Sequence, residues 1–299
     1  MKRETGASLA LAALTLIWGY NWIVVKVATN AADPFIVAAV RNVLGSLVLF
    51  AALIVLRKPL ASPPVVPTAV LGLLQTFGFM LFQTLAVALG GAGKTAVLVY
   101  TMPFWAVAFA SVALHERLSR RLAIVLGCAA VGLGFVLVPL DVHAGLVPKA
   151  LAILSAICWA ASVVWAKLLR ARFSVDTLTL TTWQLFYGAI PLALVMLAVP
   201  QHRLAFTPAF AAAMFYLVVL GALAWLLWMF ILSRLSAATA GISSLLVPVV
   251  GVLAAWAQLG EVPSATEWVG IAFICAALGL NLAPFRRRAV APGVSGCAR

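Results

Sequence analysis

Charge is what this sequence has least of. Of its 299 residues, 20 are Lys or Arg and 7 are Asp or Glu, a charged share of 9% where a soluble domain carries about a quarter. So few charges cannot cover a water-soluble body of this length, which excludes almost every soluble enzyme class and any disordered chain. Acidic residues are scarcest, and none falls in the middle of an apolar run; His115, His143 and His202 also sit at run edges. Proton-coupled carriers usually relay protons through embedded carboxylates or His, so no strongly proton-coupled mechanism is expected. The four cysteines, Cys128, Cys158, Cys275 and Cys297, include no close pair, and three lie inside apolar runs. That spacing argues against a disulfide scaffold and against a metal site.

Catalytic motifs are missing too. An intramembrane enzyme needs an embedded nucleophile with a base, or metal ligands such as HExxH or paired aspartates. His115-Glu116 continues as Arg117-Leu118-Ser119 without a second His. No catalytic residue, metal or cofactor is expected, and no filter-like stretch or charged ring suggests a channel. The net charge of +13 could suggest nucleic acid as a partner. Its placement argues otherwise, because the basic residues cluster between apolar runs, at Arg57-Lys58, Arg117 with Arg120 and Arg121, Lys167 with Arg170 and Arg172, and Arg286 to Arg288.

What is present is apolar sequence, 65% of the chain, with a mean hydropathy of +1.16. A helix needs about 20 mostly apolar residues to cross a bilayer. Ten runs qualify: 7–28, 34–56, 65–89, 92–114, 121–140, 145–166, 176–199, 208–232, 236–259 and 265–284. They are continuously apolar, whereas barrel strands alternate every second residue. The fold expected is all-α and integral to the membrane. The first run follows Lys2 and Arg3 as a secretory signal would, but it is too long and ends in polar and basic groups, so it reads as a retained span. Loops between runs are short, and no soluble domain is inserted.

Counting Lys and Arg on alternate sides of the ten spans gives 15 on the side of both termini and 4 on the other, with Arg41 inside the second span. The positive-inside rule then places both termini in the cytoplasm.

The chain also resembles itself. A shift of 141 residues lays Trp18 on Trp159 and Lys26 on Lys167; a shift of 145 lays Pro103 on Pro248, Leu114 on Leu259, Glu116 on Glu261 and Gly134 on Gly279. Two five-helix units result, 1–143 and 144–299. An odd number of helices per unit inverts the second relative to the first, and inverted repeats are a recurring plan of secondary transporters with the site near the midplane at the repeat interface.

Trp18-Gly19-Tyr20-Asn21, followed by Lys26, Pro34 and Arg41, resembles the start of the EamA family in the drug/metabolite transporter superfamily. Pro103, Leu114-His115-Glu116 and Gly127, Gly132 and Gly134 resemble its later part, and Pro248, Leu259-Gly260-Glu261 and Gly279 repeat that ending. Within the family the likeness is nearest to the YddG-type bacterial exporters of aromatic and other amino acids. The resemblance implies a ten-helix carrier in a bacterial inner membrane that moves small-molecule metabolites outward through a central cavity. Amino acids are the substrates expected; a multidrug or other metabolite carrier of the same superfamily is the alternative. A monomer in the lipid bilayer is expected, with a homodimer left open.

Candidate contacts come from polar and aromatic residues deep in the spans. Thr15, Trp18, Asn21 and Trp22 share one face of the first helix; Ser155, Trp159 and Ser162 share one face of the sixth. The third helix offers Gln75, Phe79, Phe82 and Gln83, the fourth Tyr100, the eighth Trp225 with Trp228, and the ninth Ser243 and Ser244. The set expected to touch substrate is Trp18, Asn21, Phe79, Gln83, Tyr100, Trp159, Ser162, Trp225 and Ser244. Pro103 and Pro248 each remove a helical hydrogen bond and are expected to mark a hinge or helix break. Arg41 is either a partner for a substrate carboxylate or a side chain snorkelling to the outer surface. Lys26 and Lys167 read as snorkelling residues.

Overall fold

In lipid no water satisfies a backbone amide, so each crossing segment must satisfy its own. The computed structural model describes residues 2–113, 120–137, 145–232, 246–260 and 262–282. Among these the regular elements are helical, apart from one isolated antiparallel bridge between Ala32 and Leu204. In chain order they are α1 (Lys2–Ala31), α2 (Pro34–Val55), α3 (Val65–Gly72), a first π-helical segment (Leu73–Gly78), α4 (Phe79–Leu89), α5 (Ala92–Val99) and α6 (Met102–Ala113). There follow α7 (Arg120–Leu137), α8 (Leu146–Arg172), α9 (Thr177–Ala198), α10 (Pro208–Phe215), a second π-helical segment (Tyr216–Leu220), α11 (Gly221–Leu232), α12 (Leu246–Leu259) and α13 (Ala265–Leu282).

Seven helical stretches are long and apolar enough to cross a membrane: Leu9–Ala31, Pro34–Val55, Val65–Leu89, Thr95–Ala113, Leu146–Arg172, Thr177–Ala198 and Pro208–Trp228. They fall on seven of the ten expected runs. Three shorter apolar helices, Ala123–Gly132, Val249–Leu259 and Trp268–Ala277, lie inside the fifth, ninth and tenth runs. The protein is therefore a multi-pass, all-helical membrane protein.

The principal helix pairs are α7 with α13, α2 with α9, α4 with α8, α1 with α12, α6 with α8, α3 with α9, α1 with α11 and α5 with α12. Both π-helical segments follow an eight-residue α-helix, and they start at residues 73 and 216. A π turn closes its hydrogen bonds one residue later than an α turn and is common at functional sites. The first one crosses α9 at a point where two glycines meet. A Cβ on Gly72 would lie 2.5 Å from the Gln184 carbonyl oxygen and 2.8 Å from the Gly188 nitrogen. Only residues without a side chain allow backbones so close.

The two ends of the α2–α9 pair are tied by different chemistry. At one end Asp33, the residue before α2, accepts from the backbone amides of His202 and Arg203, and its own amide donates to the Arg203 carbonyl at 2.9 Å. At the other, Asp176 caps α9 by accepting from the Thr179 amide at 3.0 Å and pairs with Lys58 at 2.8 Å. The Trp183 indole donates to the Leu60 carbonyl at 3.1 Å beside it. The Lys58 side chain is 43% exposed, so the ion pair itself contributes at most about 1 kcal/mol. The Asp176 carboxyl is held below the usual aspartate range: partial burial opposes ionisation, but the hydrogen bonds from Lys58 and Thr179 outweigh it.

The Asp33 carboxyl is likewise held below 3.8, first by the amide of His202 and then by that of Arg203. A carboxyl depressed in the folded state contributes stability that is present above the unfolded value and lost as pH falls through the folded one. Asp33→Ala should therefore lower the melting temperature in detergent by about 2–4 °C at pH 7, and the gap should shrink as pH drops below 3.8. A gap that stays constant on acidification would show that the carboxylate does not tie this end.

Three expectations change. The fourth span is not one helix: it stops at Val99, turns through Tyr100 and Thr101, and restarts at Met102. Pro103 thus sits in the second position of α6, just after the break, where its missing N–H matters least. Pro248 lies in the first turn of the described part of α12, so a break there falls outside the described residues. Lys26 does not snorkel. Its ammonium donates to the carbonyls of Val87 (3.1 Å), Ala88 (3.2 Å) and Gly90 (2.8 Å), capping the C-terminal end of α4, where orphan carbonyls and the helix dipole favour a cation.

Candidate functional site

Helices α1, α4, α8 and α11 bring four of the expected aromatic residues into one chain of rings. Phe79 tilts against Trp159 at 4.7 Å between centroids, Trp159 stacks on Trp225 at 6.3 Å, and Trp225 meets Trp18 edge-on at 6.2 Å. Trp18 continues to Trp228 at 5.5 Å. Offset and edge-on rings contribute about 0.5–1.5 kcal/mol per pair beyond the area they bury. Phe79 is buried, whereas Trp18, Trp159, Trp225 and Trp228 are half-buried. The chain of rings is thus not sealed in the core. Its geometry suits an apolar or planar group.

The first π-helical segment sets this arrangement. Phe79 follows it directly, and the Phe79 carbonyl accepts from the Ser155 hydroxyl at 3.0 Å, tying α4 to α8 one turn from Trp159. In the second π-helical segment the Tyr216 hydroxyl donates to the Ile17 carbonyl at 2.8 Å, tying that segment to α1 beside Trp18. Each π turn is fastened across a helix interface next to a ring of the chain.

The polar candidates divide. Asn21, one turn beyond Trp18, accepts from Arg41 Nη2 at 3.3 Å. Arg41 is 7% exposed, so its guanidinium does not snorkel to the surface. Gln83 is buried and its Oε1 has no hydrogen-bond partner; the same holds for Gln184 Oε1 on α9. Buried polar atoms are seldom left in this state. Ser162 is fully buried and donates to the Trp159 carbonyl of its own helix at 2.7 Å. Its hydroxyl supports the helix and does not face the rings. Tyr100 is buried and meets Trp22 edge-on at 6.4 Å, apart from the ring chain. Ser244 lies outside the described residues, as do Ser243, Glu116 and Glu261.

An apolar groove of about 230 Å³ lies elsewhere, between α2 and α9, lined by Val43, Leu47, Phe186 and Ile190 among others. Its one polar lining side chain, Ser46, spends its hydroxyl on the Val43 carbonyl at 2.7 Å. Among the described residues no group of three or more His, Cys, Asp and Glu side chains is placed to hold a metal.

Sequence reasoning passed over two features. Trp228 was noted only beside Trp225, yet it extends the ring chain. Gln184 lies in a Thr-rich stretch of α9 whose polarity could have drawn attention, but its partner surface at Gly72 is set by the π turn, which no periodicity reveals.

Comparison with known proteins agrees with this architecture. The EamA-like transporter family matches twice, over residues 5–138 and 149–283. An uncharacterized transporter of Bacillus subtilis, YoaV, is 27% identical over 94% of this chain and 98% of its own length. A protein of Salmonella typhimurium described as "Probable amino-acid metabolite efflux pump" is 26% identical, over 97% and 99% of the two chains. A crystal structure sharing 21% identity superposes with a TM-score of 0.70 and covers 93% of this chain and 97% of its own, a likeness of fold. With both halves matched end to end, the chain belongs to the EamA-like transporter family.

Proposed function

We propose that the protein is a secondary transporter of a bacterial inner membrane that exports small amphipathic metabolites, aromatic and other neutral amino acids foremost, by alternating access. Ten spans in two inverted units, 1–143 and 144–299, with both termini cytoplasmic, form the working assembly. The helix pairs support such a plan, since exchanging each span for the one five places on gives each of them a counterpart: α2–α9, α7–α13 and α5–α12 map onto themselves, α4–α8 onto α11–α1, α6–α8 onto α12–α1, and α3–α9 onto the contact of the second π-helical segment with α2. The matched π-helical segments obey the same exchange.

The observation that carries the reading is the ring chain. Its members come from both units, Trp18 and Phe79 from the first and Trp159, Trp225 and Trp228 from the second. A rocking motion of one unit against the other would part these rings, exposing and then covering a bound aromatic solute. The amino-acid metabolite description of the Salmonella relative points the same way.

Purified protein in liposomes, tested with labelled amino acids, sugars and cationic drugs, checks the proposal. Counterflow of phenylalanine or tryptophan is the expected result. Transport of quaternary cations with no amino acid would replace it by the multidrug reading.

A further inference from the structure

Arg41 is the one charged side chain in the buried set among the described residues. It stands seven residues into α2, about 10 Å along the helix axis. One terminal nitrogen reaches a neutral amide, Asn21 Oδ1, at 3.3 Å, and the other, Nη1, has no hydrogen-bond partner. Neither described aspartate answers it: Asp176 pairs with Lys58, and Asp33 is engaged with the amides of His202 and Arg203. The remaining acids of the chain, Glu4, Glu116, Asp141, Glu261 and Glu267, lie at or beyond span ends.

A buried, uncompensated guanidinium is costly, and its planar fork matches a carboxylate with two parallel hydrogen bonds. Nη1 is free to make one of them, and Nη2 is held by a long bond to a neutral acceptor that a carboxylate would displace. Asn21 and Trp18, three apart on α1, share a face, so the cation lies beside the Trp18 ring of the chain. An ammonium meets the reverse situation. No acid is embedded in the spans to receive it, and Arg41 repels it.

We infer that Arg41 and Asn21 form an anion subsite beside the Trp18 ring of the chain, and that the solutes carried are aromatic monocarboxylates in which the α-amino group is optional. This rests on the export reading above and narrows its substrate class. Deaminated relatives of aromatic amino acids belong to that class as fully as the amino acids do.

Four probes of one skeleton separate the groups: phenylalanine, 3-phenylpropionate (carboxylate alone), phenylalaninamide (no carboxylate) and phenethylamine (amine alone). Binding is read by quenching of intrinsic tryptophan fluorescence in detergent, and transport by competition in liposomes. Phenylalanine and 3-phenylpropionate should act within a few-fold of each other, with the amide and the amine weaker by about tenfold or more, the range expected for loss of a charge-assisted pair. Arg41→Gln should weaken the two carboxylates to the level of the amide while phenethylamine, relieved of a like charge, binds no more weakly than before. Phenethylamine or phenylalaninamide as potent as 3-phenylpropionate on the unmodified protein would overturn the inference even if Arg41→Gln failed to fold. Absence of binding and transport for all four would overturn the export reading itself, and the subsite with it.

Discussion

Trp159→Ala should lower transport of an aromatic substrate by about five- to 150-fold in kcat/KM. Trp159 holds the middle of the ring chain, 4.7 Å from Phe79 and 6.3 Å from Trp225, so its removal deletes two ring contacts at once. Two such contacts amount to about 1–3 kcal/mol, which is the fold-change given. The ring also bridges α4 and α11, and its loss would leave the other rings without a common neighbour. Because Trp159 is half-buried, truncation should cost less than the ~3–5 kcal/mol of a fully buried Trp. The variant should remain folded by size exclusion. Trp159→Phe, which keeps a ring of smaller area, should recover most of the rate. Unchanged kinetics in a folded Trp159→Ala protein would remove the ring chain from the substrate path.

Gly188→Ala should produce the largest loss of stability, a fall in melting temperature of about 5–10 °C in detergent. The added methyl would run into the Gly72 carbonyl oxygen and the Thr76 Cβ. Both belong to the segment where α3 passes into the first π-helical turn, and backbone cannot rotate away as a side chain can. Overpacking of this kind costs about 1–3 kcal/mol where side chains yield, and a backbone clash belongs at the upper end. Gly127→Ala in α7 is the control, since nothing lies within 4 Å of its Cβ. That change should be neutral or mildly stabilising through helix propensity. If the two variants melted together, the Gly72–Gly188 approach would carry no weight in the fold.

Much of the scaffold was legible in sequence because the bilayer imposes length and composition on each crossing segment. Pro34, the run to Val55 and the charged pair Arg57-Lys58 delimit α2 almost to the residue. The ring chain was legible for a related reason: Trp18, Phe79, Trp159 and Trp225 are large aromatic residues deep in their runs, and few positions compete with them. Backbone geometry was not legible. The π turn at Leu73–Gly78 breaks the 3.6-residue period that would otherwise relate Gln75 to Phe79 and Phe82. Lys26 illustrates the other limit. Its reach to three carbonyls at the end of α4 depends on where a segment some 60 residues away ends, which a local reading of span ends cannot supply. Ser162, polar and correctly spaced, turned to its own backbone, the competing partner any buried hydroxyl has.

The ties at both ends of the α2–α9 pair carry a consequence for the lipid. Each of these helices has 22 residues, about 33 Å at 1.5 Å per residue, close to the ~30 Å hydrocarbon thickness of a typical bilayer. A helix ordinarily answers a thicker or thinner membrane by changing its tilt. Fastened to neighbouring loops at Asp33 and at Asp176, this pair acts as a strut of fixed height. Mismatch would then fall where the backbone is already interrupted, at the Tyr100–Thr101 turn and the two π-helical segments, and the latter are the joints beside the rings.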